Sequence, residues 1–214
     1  MSNSIETRLA AAPVVPLVQS EHPDEALHIT NALSAGGLGI IEVVLRTEAA
    51  VECLRHVAAK ASYAVVGAGT VLTAAQAEAV VAAGARFIVS PGLDEGVVAV
   101  ARAHGLPVYP GCATPSEVQH AWNLGLRAVK FFPANLVGGV PMLKALGSVF
   151  RGMRFMPTGG VSAKNLGEFL AVPAVLACGG SWLTPADDIK SGNFAAITAL
   201  AAEALAIARQ ARPG

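Results

Sequence analysis

Charge is scarce in this chain. Asp, Glu, Lys and Arg make up only 14% of it against 53% hydrophobic residues, so each charge belongs on the surface or in a working site. No basic block exists, and 15 cationic side chains balance 15 acidic ones, which removes the electrostatic footprint of a nucleic-acid binder. Cysteine is sparse too. Cys53, Cys112 and Cys178 are odd in number and far apart, so no disulfide framework is expected and a reducing cytoplasm fits. No unbroken apolar run reaches the ~18 residues that span a bilayer, so no membrane partner is expected. Leu9 to Val18 resembles a short export signal, but Glu6 precedes it, Pro13 and Pro16 interrupt it, and no small-residue cleavage site follows. So apolar a chain with so little charge also hints that self-association covers some of its surface.

What is present is a repeating pattern. Short runs rich in Val, Ile and Phe occur at 14–18, 40–45, 64–69, 87–92, 107–111, 128–133, 154–160 and 175–180. Each is nearly continuous in apolar character, as in parallel strands covered on both faces. Between them lie helical segments at 22–35, 48–61, 73–83, 94–104, 114–123, 140–150, 162–171 and 194–209. Thr73, Asp94, Thr114 and Ser162 read as N-caps, and Gly36, Gly84, Gly105 and Gly125 as left-handed C-caps. Eight such units without a composition break predict an α/β chain forming one (β/α)8 barrel domain over residues 1–214, with an extra helix in Met1 to Ala12. A doubly wound open sheet is the alternative. Its sign would be Gly67-Ala68-Gly69, which begins like a dinucleotide fingerprint, but Leu72 stands where the third glycine belongs.

In a barrel the chemistry sits at the C-terminal ends of the strands. Nearly all fifteen acids fall on helices or caps, Glu42 being the exception, and Lys130 alone of five lysines falls within a strand run. An unpaired buried charge costs several kcal/mol, so the two are expected to face each other. One reading is an internal ion pair that only holds the barrel together. The other is chemical: an apolar pocket disfavours the ammonium form, and the neutral amine can attack a carbonyl to form a Schiff base. A nearby carboxylate would move the protons. Metal chemistry lacks ligands, because all five histidines lie on helices or their flanks. Cys112 and Cys178 lie near strand ends with no histidine placed to make a thiolate, so they read as small buried hydrophobes.

Anion anchors follow the last two strands. Pro157-Thr158-Gly159-Gly160 precedes Ser162, and Gly179-Gly180 precedes Ser181-Trp182. Paired glycines let backbone N–H groups approach an anion, and in this fold these two loops form the recurring phosphate site. Tight turns alone would explain one such pair. Arg46 and Thr70 each follow a strand and should face the barrel mouth, where an arginine can grip a carboxylate with two hydrogen bonds. Alternatively Arg46 pairs with Glu48.

Six motifs, together spanning essentially the whole chain, now resemble the bacterial 2-keto-3-deoxy-6-phosphogluconate (KDPG) and 4-hydroxy-2-oxoglutarate aldolase family. They are Glu42-Val-Val-Leu-Arg46-Thr47, Gly67-Ala-Gly-Thr70-Val, Ser90-Pro91-Gly92, Lys130-Phe-Phe132-Pro133-Ala134, Pro157-Thr158-Gly159-Gly160 and Gly179-Gly180-Ser181-Trp182. The resemblance implies a class I lyase that is a homotrimer and needs no metal or cofactor. It would cleave KDPG to pyruvate and glyceraldehyde 3-phosphate in the Entner–Doudoroff route. It also implies residue roles: Lys130 as the Schiff base and Glu42 as acid and base. Arg46 and Thr70 would hold the carboxylate, Pro91 and Phe132 shape the pocket, and Gly159, Gly160, Gly180 and Ser181 hold the phosphate. The related phosphogalactonate aldolases look as if they carry valine where this chain has Thr158, so a hydroxyl there favours the gluconate substrate. Cys112-Ala113-Thr114 departs from the Ile-Ser-Thr of some members and leaves that loop's part in selectivity open. Outside this reading stand a phosphosugar isomerase or epimerase with Glu42 as base, and a phosphosugar-binding scaffold with no turnover.

Overall fold

Strands β1 (Val14–Val18) and β2 (Ile40–Val44) are buried at every residue, as their unbroken apolar runs require when both faces are covered. The computed structural model describes residues 5–212. The remaining strands are β3 (Val65–Gly69), β4 (Ile88–Val89), β5 (Val108–Tyr109), β6 (Gly111–Cys112), β7 (Ala128–Phe131), β8 (Arg154–Pro157) and β9 (Cys178–Gly180). All pairings are parallel, in two curled sheets ordered β5-β4-β3-β2-β1-β9 and β6-β7-β8. Two features join the sheets. A parallel bridge links Phe155 of β8 to Val175 just ahead of β9, and β5 runs into β6 across Pro110. The fifth predicted strand is therefore cut in two, because proline offers no N–H to a ladder.

The core is divided in the same sense. Val14, Val18, Ile41, Val43, Val66, Ala68 and Phe131 join the large cluster with the helices. Val15, Ile40, Phe87, Val89, Tyr109, Met156 and Ala177 form a smaller one with Leu9. Neighbours along one strand fall into different clusters, so the sheets curl far enough for alternate residues to meet on the concave side. Leu9 belongs to helix α1 (Ile5–Ala11), which supplies the apolar closure beneath those strands. The predicted N-terminal helix is present over those residues, and Met1 to Ser4 lie outside the described ones.

The outer helices are α2 (Pro23–Ala35), α3 (Ala50–Lys60), α4 (Ala74–Ala82), α5 (Glu95–Ala103), α6 (Pro115–Asn123), α7 (Gly139–Val149), α8 (Leu166–Leu170), α9 (Ala186–Lys190) and α10 (Phe194–Ala211). Thr73, Asp94 and Thr114 cap α4, α5 and α6 as expected, Thr114 in a full capping box with Glu117. Ser162 does not cap a helix. Its N–H instead donates to Asn165 Oδ1, and Asn165 is the N-cap position of the short α8. At the end of α2 the left-handed residue is Gly37, with φ of 97°, whereas Gly36 has φ of −80°. Gly36 has a different duty, since a Cβ there would lie 2.5 Å from Ala201 Cβ on α10. Neither α9 nor the 3₁₀ turn Ser181–Leu183 was legible in the helical periodicity. By length and composition α10 could cross a membrane. Its buried stripe Ile197, Ala201, Ala204 and Ala208 packs instead with α2 and α8.

Candidate active site

Parallel strands place all their C-terminal ends on one rim, and the side chains singled out above converge there. Lys130 lies in register with Gly111 on one side and Met156 on the other. Glu42 lies level with Leu17 and Gly67. Both side chains are enclosed, at 4% and 0% exposure, and Lys130 Nζ stands 3.7 Å from Glu42 Oε1. Among the described residues no protein donor reaches either carboxylate oxygen at hydrogen-bond geometry. A purely structural ion pair ordinarily gathers further donors around a buried carboxylate, and none is present among the described residues. Phe132 walls the amine, its ring centroid 5.2 Å from Nζ. The Phe132–Pro133 peptide is cis.

Space for the carboxylate comes from β3. A Cβ on Gly69 would fall on the Glu42 side chain, and one on Gly67 would fall on the Phe87 ring. Close contacts inside the sheet thus account for both glycines of the Gly67-Ala68-Gly69 pattern. Gly69 was missed as a site residue, although its period-two partnership with Gly67 was a usable signal. Next along, Thr70 has φ of 59°, the left-handed region, and is the one non-glycine residue there among the described residues. For a β-branched side chain this is strained backbone, of the kind that collects at working sites. Its Oγ1 accepts from Arg46 Nε at 3.4 Å. Arg46 therefore turns towards Thr70, and among the described residues no ion pair joins it to Glu48. Arg46 and Ser181 also line one cavity of about 250 Å³ with Gln19 and Thr184.

The glycine loops are tied by their carbonyls. Gly159 and Gly160 have φ of 95° and 80°. Gly159 C=O accepts from Asn135 N–H at 3.0 Å, and Gly160 C=O accepts from the side-chain amides of Asn135 and Asn165 at 2.8 and 2.9 Å. Neither Gly159 nor Gly160 N–H is given to a protein acceptor among the described residues. Asn135 and Asn165 were not anticipated, because only the fold brings them to this loop. Thr158 is buried, and a Cβ on Gly179 would strike its side chain, so this hydroxyl and β9 are in direct contact. Thr184 Oγ1 donates to Leu17 C=O at 2.8 Å and anchors the turn that begins at Ser181. Pro91 joins the rim less directly. Its carbonyl occupies the place of a Gly111 Cβ, while Ser90 Oγ donates to Gly92 C=O at 2.7 Å to hold the turn.

Burial pushes the Cys112 thiol up to about 12, with Glu117 adding to it, and burial pushes Cys178 up as well. Both thiols are buried, in keeping with their reading as small buried hydrophobes. Among the described residues no three His, Cys, Asp or Glu side chains gather as a metal site would require.

Residues 5–200 match the family described as KDPG and KHG aldolase. The chain belongs to that family. The 2-dehydro-3-deoxy-phosphogluconate aldolase of Dickeya dadantii is 47% identical to it over 203 residues, 95% of each chain. The KHG/KDPG aldolase of Escherichia coli K12 is 44% identical over 94% of this chain and 95% of that protein. Among solved structures of KDPG aldolases, one from Legionella pneumophila, with pyruvate captured at low pH as a covalent carbinolamine intermediate, aligns with a TM-score of 0.89. It is 40% identical and covers 94% of this chain and 97% of that one.

Proposed function

We propose that this KDPG/KHG-family chain cleaves 2-keto-3-deoxy-6-phosphogluconate to pyruvate and glyceraldehyde 3-phosphate through a Schiff base on Lys130. The observation that carries the reading is the enclosed amine 3.7 Å from a carboxylate whose oxygens accept no protein hydrogen bond. The carbinolamine captured with pyruvate in the Legionella enzyme supports the covalent route. Lys130, as the neutral amine, adds to the C2 carbonyl, and Glu42 supplies the proton with which the carbinolamine loses water. In the resulting iminium the C3–C4 bond breaks. Its electron pair moves into the C2–N system as an enamine while Glu42 takes the C4 hydroxyl proton, and the phosphorylated aldehyde departs. The enamine takes a proton at C3, and water releases pyruvate from the lysine.

Arg46 and the strained Thr70 hold the substrate carboxylate, Phe132 and Pro91 wall the reacting carbons, and the Gly159-Gly160 and Gly180-Ser181 turns take the phosphate. The left-handed glycines with ungiven N–H groups support this last assignment. The Thr158 hydroxyl favours the gluconate over the galactonate epimer. The bridge at Phe155–Val175 and the passage across Pro110 support closure into one eight-stranded barrel domain over residues 1–214. That domain works in the cytoplasm as a homotrimer. Exposed Leu72 and Leu136, in loops beside the rim, suit such self-association.

Borohydride treatment in the presence of pyruvate, followed by peptide mass spectrometry, tests the route. A single adduct on Lys130 is expected. An active enzyme that forms no adduct would overturn the Schiff base and leave a proton-shuttling isomerase with Glu42 as base. The name of the Escherichia coli relative supports a second substrate, 4-hydroxy-2-oxoglutarate, which the same amine would cleave without using the phosphate turns.

A further inference from the structure

The opposite end of the sheets carries a second concentration of charge that the aldol reaction does not use. A cavity of about 780 Å³ opens at the feet of β5, β7 and β8, and four arginines line it: Arg102, Arg127, Arg154 and Arg212. Among the described residues Glu6 of α1 is its one acidic side chain. No carboxylate among the described residues lies within ion-pair distance of any of the four guanidinium groups. They are held by neutral carbonyls instead. Arg212 donates to Leu170, Leu176 and Val175 C=O at 2.9, 3.2 and 2.6 Å, and Arg154 donates to Val175 C=O at 3.3 Å. Arg127 donates to Leu126 C=O at 2.7 Å and stacks on Trp122 at 3.8 Å, and Arg102 bonds Leu124 C=O.

Carbonyl contacts fix where these groups point without cancelling their charge. Burial holds the Arg212 guanidinium below its ordinary pKa, and the charge of Arg154 pushes it the same way. Arg154 and Arg212 both donate to the Val175 carbonyl, so two like charges lie side by side, a tension that an anion between them would remove. The rest of the lining is apolar and includes Tyr109 and Leu176. A volume of this size suits a small metabolite.

We propose that this cavity is a second ligand site, specific for small polyanions whose phosphate groups are gripped by Arg127, Arg154 and Arg212. Because β7 begins here at Ala128 and carries Lys130 two residues on, an occupant would brace the strand that holds the catalytic amine.

Calorimetric titration of the whole protein with pyrophosphate and, separately, ATP at fixed ionic strength tests the site. Wild-type protein should bind both. Tighter binding of ATP would assign the apolar floor to a ring, and equal binding would assign the site to phosphate groups alone. R127Q/R154Q should lose roughly tenfold or more in affinity, since each residue removes a charge-assisted contact. Its aldol turnover without anion should stay within about twofold, as expected for sites so far apart. R102E, at an exposed position, should weaken binding independently should the double variant fold poorly. Wild-type protein that binds neither probe up to roughly 10 mM, a level too weak to matter, overturns the proposal. So does equal binding by wild type and the folded variants, which would assign the anion to the barrel mouth.

Discussion

Gly69, on the neighbouring strand, lies against the Glu42 carboxylate with no room between them for a methyl group. Gly69→Ala should therefore push the carboxylate away from Lys130. Overpacking of this kind costs about 1–3 kcal/mol, and misplacing a catalytic group by about 1 Å costs on the order of 100-fold in turnover. Urea unfolding and steady-state cleavage read the two losses separately. Unchanged turnover would show that Glu42 works from another position.

Removing either partner of the Lys130–Glu42 pair should have unequal consequences. Lys130→Met strands a fully enclosed carboxylate and should lose about 3–5 kcal/mol of stability as well as all turnover. Adding Glu42→Gln to that variant should recover part of the stability, because the stranded charge is gone. Glu42→Gln alone should keep the fold and slow imine formation with pyruvate by about 10²–10⁴, the usual contribution of a positioned acid–base group. A Lys130→Met protein as stable as wild type would show that the pair is not formed in solution.

Thr70 offers a way to separate strain from contact. Both Thr70→Gly and Thr70→Ala lose the hydroxyl that accepts from Arg46, and both should raise KM. Only glycine relaxes in the left-handed region, so Thr70→Gly should be the more stable by about 1 kcal/mol. Equal melting temperatures for the two variants would remove the claim of strain.

Asn135 should discriminate between the two substrates. Asn135→Ala removes one of the two side-chain amides that hold the Gly160 carbonyl, and so loosens the turn proposed to take phosphate. Cleavage of the phosphorylated substrate should fall about tenfold, the equivalent of one lost charge-assisted contact. Cleavage of 4-hydroxy-2-oxoglutarate, which has no phosphate, should hardly change. Equal losses on both would mean that Asn135 supports the whole rim.

The buried thiols and Tyr109 predict an alkaline limit. Burial, with smaller help from Glu6, pushes Tyr109 up to about 12, and Cys112 rises from 9.0 to about 12. These groups stay protonated when folded and ionise when unfolded. Their contribution is complete below the ordinary thiol value and is lost as pH climbs towards 12, at about 1.4 kcal/mol per pH unit for each group. Denaturation midpoints should fall steadily above pH 9.0, with a shallower decline in Cys112→Ala. A flat profile would contradict the burial of these side chains.

Lys130 and Glu42 were legible because a charge inside an apolar strand run has few explanations. Thr73, Asp94 and Thr114 were legible because capping is settled within four residues. Ser162 has the same chemistry, yet Asn165 starts its helix, since the turn between them serves Gly160 rather than the helix. Gly36 looked like a C-cap and proved to be a contact with Ala201, some 165 positions later, a partnership no local pattern can express. Asn135 escaped for the same reason, being 25 positions from Gly160, and the arginine cavity draws its four charges from helix α5, the foot of β8, the loop before β7 and the end of α10. Caps are read from neighbours in sequence, and Lys130 and Glu42 from being charges out of place in apolar strands; a residue that does an ordinary job through a distant partner leaves neither mark.

The apolar cluster that α1 completes with Leu9 has a consequence for traffic. With that cluster filling the interior on the α1 side, the proposed chemistry at the Lys130 amine would be served from the rim. Substrate and both products would then share one approach, past the turns proposed to take the phosphate. Under the proposed mechanism the phosphorylated aldehyde would leave first, and the keto acid only after the imine is hydrolysed.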